Sequence, residues 1–171
     1  MEPDDDFRRF FDEQFARLRH LGFLLTGSWA EGEELAQDAL VRTLGAWPRI
    51  KDRAQAGGYA RTVLVNRHRS LLRRALVRAR HLRAAGPDRP VPPPGGEDRM
   101  VVWEALGRLP EAQRTVLVLR FWEDLSEAEV CRLVRLPAGT VKSHTRRGLA
   151  RLRQDLSRQS AGGAQAFEVA R

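Results

Sequence analysis

Cysteine, tyrosine and lysine are nearly missing from this chain: its 171 residues include one Cys (Cys131), one Tyr (Tyr59) and two Lys (Lys51 and Lys142). A single thiol excludes an internal disulfide and a multi-thiolate zinc site, and it reads as a small buried hydrophobe. No apolar run approaches the roughly 18 residues that a membrane span needs. The opening residues, Met1-Glu2-Pro3-Asp4-Asp5-Asp6, are acidic where a signal peptide is basic. No membrane insertion is expected, and the expected location is cytoplasmic. The length excludes a large multidomain enzyme and fits one domain or two small ones, at roughly 100–200 residues per domain. His20, His68, His81 and His144 are dispersed, and neither Gly-x-x-x-x-Gly-Lys nor His-Glu-x-x-His occurs. No catalytic residue, metal or cofactor is therefore expected, and an enzyme acting on nucleic acid is a reading with nothing to carry it.

What is present is charge and helical pattern. Hydrophobic residues make up 42% and charged residues 30%, enough for a modest core or two small helical ones. The net charge is +8, and it alternates along the chain: −5 over 1–48, +10 over 49–83, −4 over 84–131, +7 over 132–158 and zero over 159–171. Two basic blocks, each on a predicted helix, suit a polyanion, because cations gain affinity for phosphates by releasing condensed counterions. The plain alternative is a solvated basic face.

Phe7, Phe10, Phe11, Phe15, Leu18, Leu21 and Leu25 recur at helical spacing, which predicts an amphipathic helix ending near Gly27. Ser28-Trp29-Ala30-Glu31 reads as a capping box opening a second helix that stops before Pro48. Its core stripe is Leu35 or Ala36, Ala39, Leu40, Thr43, Leu44 and Trp47, which leaves a polar, acidic face. A third helix runs from Tyr59 to about Arg80 with Ala60, Val63, Leu64, Leu71, Leu72 and Ala75 inside. On its outer faces Asn66, Arg69 and Arg73 share one side, and Arg67, Arg74 and Arg78 another. Residues 84–98 hold five of the nine prolines and three glycines, the composition of a semi-extended linker between domains. Beyond it, Met100–Leu109 and Pro110 to about Glu123 read as helices. Ser126-Glu127-Ala128-Glu129 is a second capping box, opening a short helix through Val134. A turn at Arg135-Leu136-Pro137 leads to a longer basic helix from Ala138 to about Ser157, with Val141, Leu149, Leu152 and Leu156 inside. Residues 159–171 read as a disordered tail.

Short helix, tight turn and longer basic helix is helix-turn-helix patterning, whose second helix lies in the DNA major groove. The outward residues at its start, Thr140, Lys142, Ser143, His144, Arg146 and Arg147, are of the types that reach base edges and phosphates. The wording around them is more specific. Leu109-Pro110-Glu111-Ala112-Gln113-Arg114 through Leu119-Arg120-Phe121-Trp122-Glu123-Asp124-Leu125-Ser126-Glu127-Ala128-Glu129-Val130, then Gly139-Thr140-Val141-Lys142-Ser143, closely resembles the fourth conserved domain of bacterial RNA polymerase sigma factors. Leu24-Leu25-Thr26-Gly27, Ala30-Glu31-Gly32-Glu33-Glu34-Leu35-Ala36-Gln37-Asp38-Ala39-Leu40 and Trp47 resemble their second domain. Tyr59-Ala60-Arg61, Val65-Asn66-Arg67-His68-Arg69-Ser70 and Arg73-Arg74 extend that likeness. The resemblance is to the extracytoplasmic-function group, and within it to an actinobacterial branch known as the SigE family. It covers about residues 7–156.

The resemblance implies an all-α fold of two small helical domains: a region 2 bundle over 7–83, the linker over 84–98 and a region 4 helix-turn-helix domain over 99–158. It implies that the face carrying Glu34, Gln37, Asp38, Val41 and Arg42 docks on the clamp of the largest subunit of core RNA polymerase. An acidic patch in a basic protein suits a basic protein surface and repels DNA. The long basic helix is then expected to melt and read the minus-ten promoter element. There Asn66 lies near a flipped base, offering both donor and acceptor, and Arg61, Arg67, Arg69, Arg73 and Arg74 hold phosphates. Residues 140–147 are expected to read the minus-35 element, and part of the same domain to contact the flap of the second-largest subunit. The linker would let both domains close around an anti-sigma partner. Three positions depart from the family pattern. Arg135 stands where Gly is usual, and a left-handed residue there would be strained, which implies a differently shaped turn. Pro137 replaces a commoner Ser cap at no cost in hydrogen bonds, and Ser70 stands where many members have Asp. An ordinary helix-turn-helix regulator is the rival reading, but the first half has no alternating strands or aspartate pocket of a receiver domain.

Overall fold

The apolar spacing of the first half builds a three-helix unit around aromatic and leucine side chains. In the computed structural model, backbone is described for residues 3–79 and 97–169 and side chains for 5–74 and 102–158. The chain divides into two units, Met1–Pro90 and Val91–Arg171. Among the described residues there is no strand, and no helix is long and apolar enough to cross a membrane.

In the first unit α1 spans Pro3–Thr26 and buries Phe7, Phe10, Leu18, Leu21, Phe23, Leu24 and Leu25. Phe11, expected inside, lies at the rim and stacks on Phe15 at 5.4 Å. The helix ends at Gly27, whose φ of 83° suits a residue without Cβ. Ser28 then caps α2 (Trp29–Ala46), its Oγ accepting from the Glu31 N–H at 3.4 Å. The expected reciprocal bond from Glu31 is replaced: the Ser28 N–H donates to Thr26 Oγ1 at 3.1 Å, so a residue before the cap completes the box. α1 and α2 cross at Gly22 and Gly32, so closely that a Cβ on Gly22 would stand 2.6 Å from the Gly32 carbonyl oxygen. Leu35, Ala36, Ala39, Leu40, Thr43 and Trp47 are buried as expected, but Leu44 is 48% exposed. It sits about 40° round the helix from Leu40 and about 60° from Val41, on the boundary between the two faces, and the bundle leaves it outside.

Trp47 packs between Phe7 and Phe10, each 5.0 Å away, while α2 passes into a 3-10 turn, Trp47–Arg49, that includes Pro48. Arg53 places its guanidinium 4.1 Å over Trp47 and bonds Asp6 at 2.9 Å, tying the following loop to α1. α3 spans Ala56–Ala79, starting ahead of the expected Tyr59 and carrying Gly57-Gly58 in its first turn. Ala56, Ala60, Leu64, Val65 and His68 form its buried side. Val63, Leu71 and Leu72 are only half-buried, and Ala75 and Arg78 lie outside the described side chains.

In the second unit α4 spans Glu97–Gly107, so the last two residues of the expected linker are helical; 80–96 lie outside the described residues. α5 (Glu111–Leu117) follows Pro110, which stands at the N-cap. The single helix expected to Glu123 instead closes with a π-helical turn, Val118–Trp122, in which the Glu123 N–H reaches the Val118 carbonyl at 3.1 Å. Asp124, at φ 52°, then reverses the chain, and the Leu125 N–H bonds the Leu119 carbonyl at 3.1 Å. α6 (Glu127–Val134) opens with both halves of the capping box: Ser126 Oγ accepts from the Glu129 N–H at 3.3 Å and Glu129 Oε2 from the Ser126 N–H at 2.7 Å. Cys131 is half-exposed rather than buried.

The turn keeps the left-handed shape. Arg135 takes φ 53° and ψ 47°, so the chain preserves the geometry and accepts a residue that costs about 1–2 kcal/mol there. Pro137 stands just outside α7 (Ala138–Val169), and its carbonyl accepts from the Thr140 and Val141 N–H groups at 2.9 and 3.1 Å. α7 continues through Val169, past the expected helix end near Ser157 and into the segment read as a disordered tail. That segment has no proline, and Ala161, Ala164 and Ala166 favour the helix against the opposing pair Gly162-Gly163. α7 crosses α5 at Gly148, where a Cβ would stand 2.9 Å from Leu117 Cδ1. On α5, burial pushes the Arg114 guanidinium below its ordinary pKa, while Glu111 opposes the shift.

Candidate nucleic-acid interface

The first unit presents two unlike faces on adjacent helices. On α2, Glu34, Gln37, Val41 and Arg42 are exposed and Asp38 is half-exposed, at i, i+3, i+4, i+7 and i+8 spacing that puts all five on one face. Gln37 Nε2 donates to Glu33 Oε1 at 3.4 Å, and Glu33 pairs with Arg19 at 3.5 Å, so the edge of this face is tied to α1. Val41 is 68% exposed, and Leu44 adds a second apolar side chain beside it. Sequence reasoning missed Leu44 as a surface residue; its nearness to Val41 on the helical wheel was the available signal. Apolar side chains amid acidic and amide groups resemble the core of a protein-docking patch more than a solvated stripe.

On α3, Arg73 and Arg74 are exposed and Arg61, Asn66, Arg67 and Arg69 half-exposed, around the buried ring of His68. Asn66, Arg69 and Arg73 keep their shared side. Arg67 is drawn toward α2: its Nε lies 3.4 Å from Asp38 Oδ2, the same oxygen that accepts from Arg42 Nε at 3.0 Å. One carboxylate thus joins a residue of each expected interface. Nothing in the spacing of either helix alone signals this pair.

The second unit offers the start of α7. Lys142, Arg146 and Arg147 are exposed, and Thr140, Ser143 and His144 half-exposed. Val141 beneath them is fully buried, which fixes the roll of the helix and turns the polar residues outward. Lys142 Nζ lies 3.8 Å from Glu127 Oε1 on α6, linking the two helices across the turn. His144 is turned partly inward, its Nδ1 enclosed and lacking a hydrogen-bond partner among the described residues. Further along, Arg151 reaches Gln113 Oε1 at 3.4 Å and anchors α7 to α5. Exposed cations over the first three turns of a helix, held by a left-handed turn, suit entry into a major groove.

The family model for Sigma-70 region 2 matches residues 11–76, and that for Sigma-70, region 4 matches residues 99–152. The chain is 35% identical over 155 residues to the RNA polymerase sigma-E factor of Streptomyces coelicolor, covering 84% of this chain and 85% of the relative. Against the RNA polymerase sigma-E factor of Streptomyces antibioticus it is 38% identical over 133 residues, covering 74% and 71%. It is 27% identical over 159 residues to the ECF RNA polymerase sigma factor SigL of Mycobacterium tuberculosis, covering 87% and 88%. Among solved structures, the sigma factor RpoE of Bartonella quintana, crystallised with the anti-sigma factor NepR, shares the fold at a TM-score of 0.73 and 21% identity, over 89% of this chain and 97% of that one.

Proposed function

The chain belongs to the extracytoplasmic-function group of the sigma-70 family, and from this premise we propose how its two units divide the work of an alternative sigma factor. The protein binds core RNA polymerase, recognises minus-ten and minus-35 promoter elements and promotes DNA melting at the start of transcription. The α2 face of Glu34, Gln37, Asp38, Val41 and Arg42, with Leu44, docks on the clamp of the largest subunit. Val41 and Leu44 supply apolar contact, and the acidic groups select a basic surface and discourage DNA. The α3 face beside it takes the melted strand: Arg61, Arg67, Arg69, Arg73 and Arg74 hold phosphates, and Asn66 bonds the edge of an unstacked base. Capturing a base out of the stack costs a few kcal/mol, which pocket contacts and electrostatics repay, so opening needs no nucleotide hydrolysis by this chain.

The second unit docks duplex DNA by placing the start of α7 in the major groove. Each good base contact there discriminates by about 1–3 kcal/mol. Lys142, Arg146 and Arg147 carry the electrostatic part, with Thr140 and Ser143 beside them; the enclosed Nδ1 gives His144 a smaller share. The same unit contacts the flap of the second-largest subunit, and an anti-sigma protein is a further partner. The reaction belongs in the cytoplasm, where polymerase meets DNA, and it is one of binding and strand separation rather than catalysis by a residue of this chain.

The observation that carries this reading is the pairing, within one unit, of an acidic and apolar α2 face with a cationic α3 face. A regulator that binds only duplex DNA has no use for the first. Co-elution of the full chain with actinobacterial core polymerase, repeated with Val41→Glu, tests it. The reading expects co-elution for the parent and its loss for the variant. Duplex binding without polymerase association would favour the ordinary regulator.

A further inference from the structure

Asp38 stands where the two faces of the first unit meet, and its carboxylate contacts a residue of each. Its Oδ2 accepts from Arg42 Nε at 3.0 Å and lies 3.4 Å from Arg67 Nε. Each member of the interhelical pair is about one-third exposed, Asp38 at 29% and Arg67 at 32%. The attraction is therefore stronger than between fully solvated groups but still open to competition from outside. Two kinds of competitor fit. A DNA phosphate presents the same chemistry to Arg67 as the carboxylate does, and a cationic group on polymerase presents the same chemistry to Asp38 as the guanidinium does.

We propose that Asp38 is a positioning residue that holds Arg67 away from DNA in the free protein and releases it when polymerase takes the carboxylate. This rests on the reading of α2 as the docking face and α3 as the DNA face. In the free protein, a phosphate that approaches Arg67 meets a guanidinium already half neutralised and a carboxylate that repels it. Docking on α2 gives Asp38 a different cation, and Arg67 becomes available for one more phosphate contact. Because such coupling is reciprocal, DNA held by Arg67 also favours docking. The effect is modest in size, as for other partly exposed pairs, and it acts in one direction: DNA binding by the free factor is held down, and binding by the assembled factor is not. Arg73 and Arg74 are exposed further along α3, so the free protein keeps part of its affinity for a polyanion.

Two titrations of the full chain test the latch. The first uses a short, labelled single-stranded oligodeoxynucleotide of mixed sequence and needs no polymerase. Asp38→Asn keeps the side-chain shape and is expected to tighten binding about two- to fivefold. It is also expected to steepen the salt dependence by about 0.7 in log–log slope, the signature of one added phosphate contact on a single strand. Both changes are expected to vanish on an Arg67→Ala background. An equal gain on both backgrounds would mean simple loss of a negative charge and would overturn the proposal, as would no gain on the parent. The second titration measures affinity for core polymerase. Arg67→Ala, by freeing Asp38, is expected to tighten it about two- to fivefold. Lys51→Ala, which removes an exposed cation outside both faces, is expected to leave it unchanged. Weaker or unaltered core binding by Arg67→Ala contradicts the latch. Absence of core binding by the parent chain overturns the functional reading instead, and the oligonucleotide titration still decides whether Asp38 restrains Arg67.

Discussion

Gly32→Ala places one methyl group at the closest approach of α1 and α2, and its cost can be worked from the crossing. The new Cβ would stand 2.5 Å from the Phe23 nitrogen, 2.9 Å from the Arg19 carbonyl oxygen and 3.0 Å from the Gly22 carbonyl carbon. Heavy atoms rest at roughly 3.5–4.0 Å, so the helices must part by on the order of 1 Å. All three obstacles are backbone, and no side chain can rotate away. Overpacking of this kind costs about 1–3 kcal/mol, and an obstacle of rigid backbone belongs at the upper end. Alanine returns about 1 kcal/mol through its better helix propensity. The net expectation is a loss of about 2 kcal/mol, or a fall in Tm of about 8–16 °C for a domain of this size. Gly45→Ala is the matched control on the same helix: nothing stands within 4 Å of its Cβ, so only propensity acts and stability rises by up to about 1 kcal/mol. Urea unfolding read by tryptophan fluorescence measures both, with Trp103 and Trp122 changed to Phe so that only Trp29 and Trp47 of the first unit report. Equal stability of the two variants, or a Gly32→Ala protein as stable as its parent, would refute the crossing as described.

Other expectations separate stability from function. Arg135→Gly relieves a left-handed residue and is expected to stabilise the second unit by about 0.5–1 kcal/mol, after allowing for the greater freedom of glycine in the unfolded chain; urea midpoints would show it. Ser126→Ala removes the hydroxyl that caps α6 and is expected to cost about 1 kcal/mol in the same assay. Asn66→Ala is expected to impair permanganate-detected promoter opening more than co-elution with core polymerase; equal loss of both would remove it from the base-reading role. Arg146→Ala and Arg147→Ala are each expected to lower the salt slope of duplex binding by about one, and an unchanged slope would remove that residue from the phosphate contacts.

How far the fold is legible in the letters varies with how local its cause is. The α6 start is written in four residues, Ser126 to Glu129, and forms as read because both halves of the box lie within one turn. At Ser28 the same four-residue pattern is half right, since Thr26, before the cap, supplies the second bond. The two helix crossings are harder to see. Gly22, Gly32 and Gly148 matter because another helix lies against them, and nothing in their own neighbourhood distinguishes them from Gly45, which faces open space. The same holds for Leu44, whose place between two faces is decided by the bundle. The π-helical turn after α5 depends on how Val118–Trp122 must bend to bring Leu125 back to Leu119, a condition set by the position of α6.

The expected interfaces follow the same division. The outward residues of α7 are legible because Val141, at helical spacing from Leu149 and Leu152, sets the roll of the helix. The α2 face is legible as a polar stripe, though its apolar component is larger than the letters suggest, with Leu44 joining Val41. What no single-helix pattern contains is the contact between Asp38 and Arg67. It depends on α2 and α3 lying side by side, and it links the two faces that the sequence presents as separate.

The central claim, that this chain directs core polymerase to start sites of its own choosing, is tested most directly by transcribing a pool of genomic fragments in vitro. Matched actinobacterial core polymerase is used with and without the protein, and the 5′ ends of the transcripts are sequenced. The account predicts new starts that appear only with the protein and share two spaced upstream elements. Unchanged starts from a folded protein that co-elutes with the polymerase would contradict it.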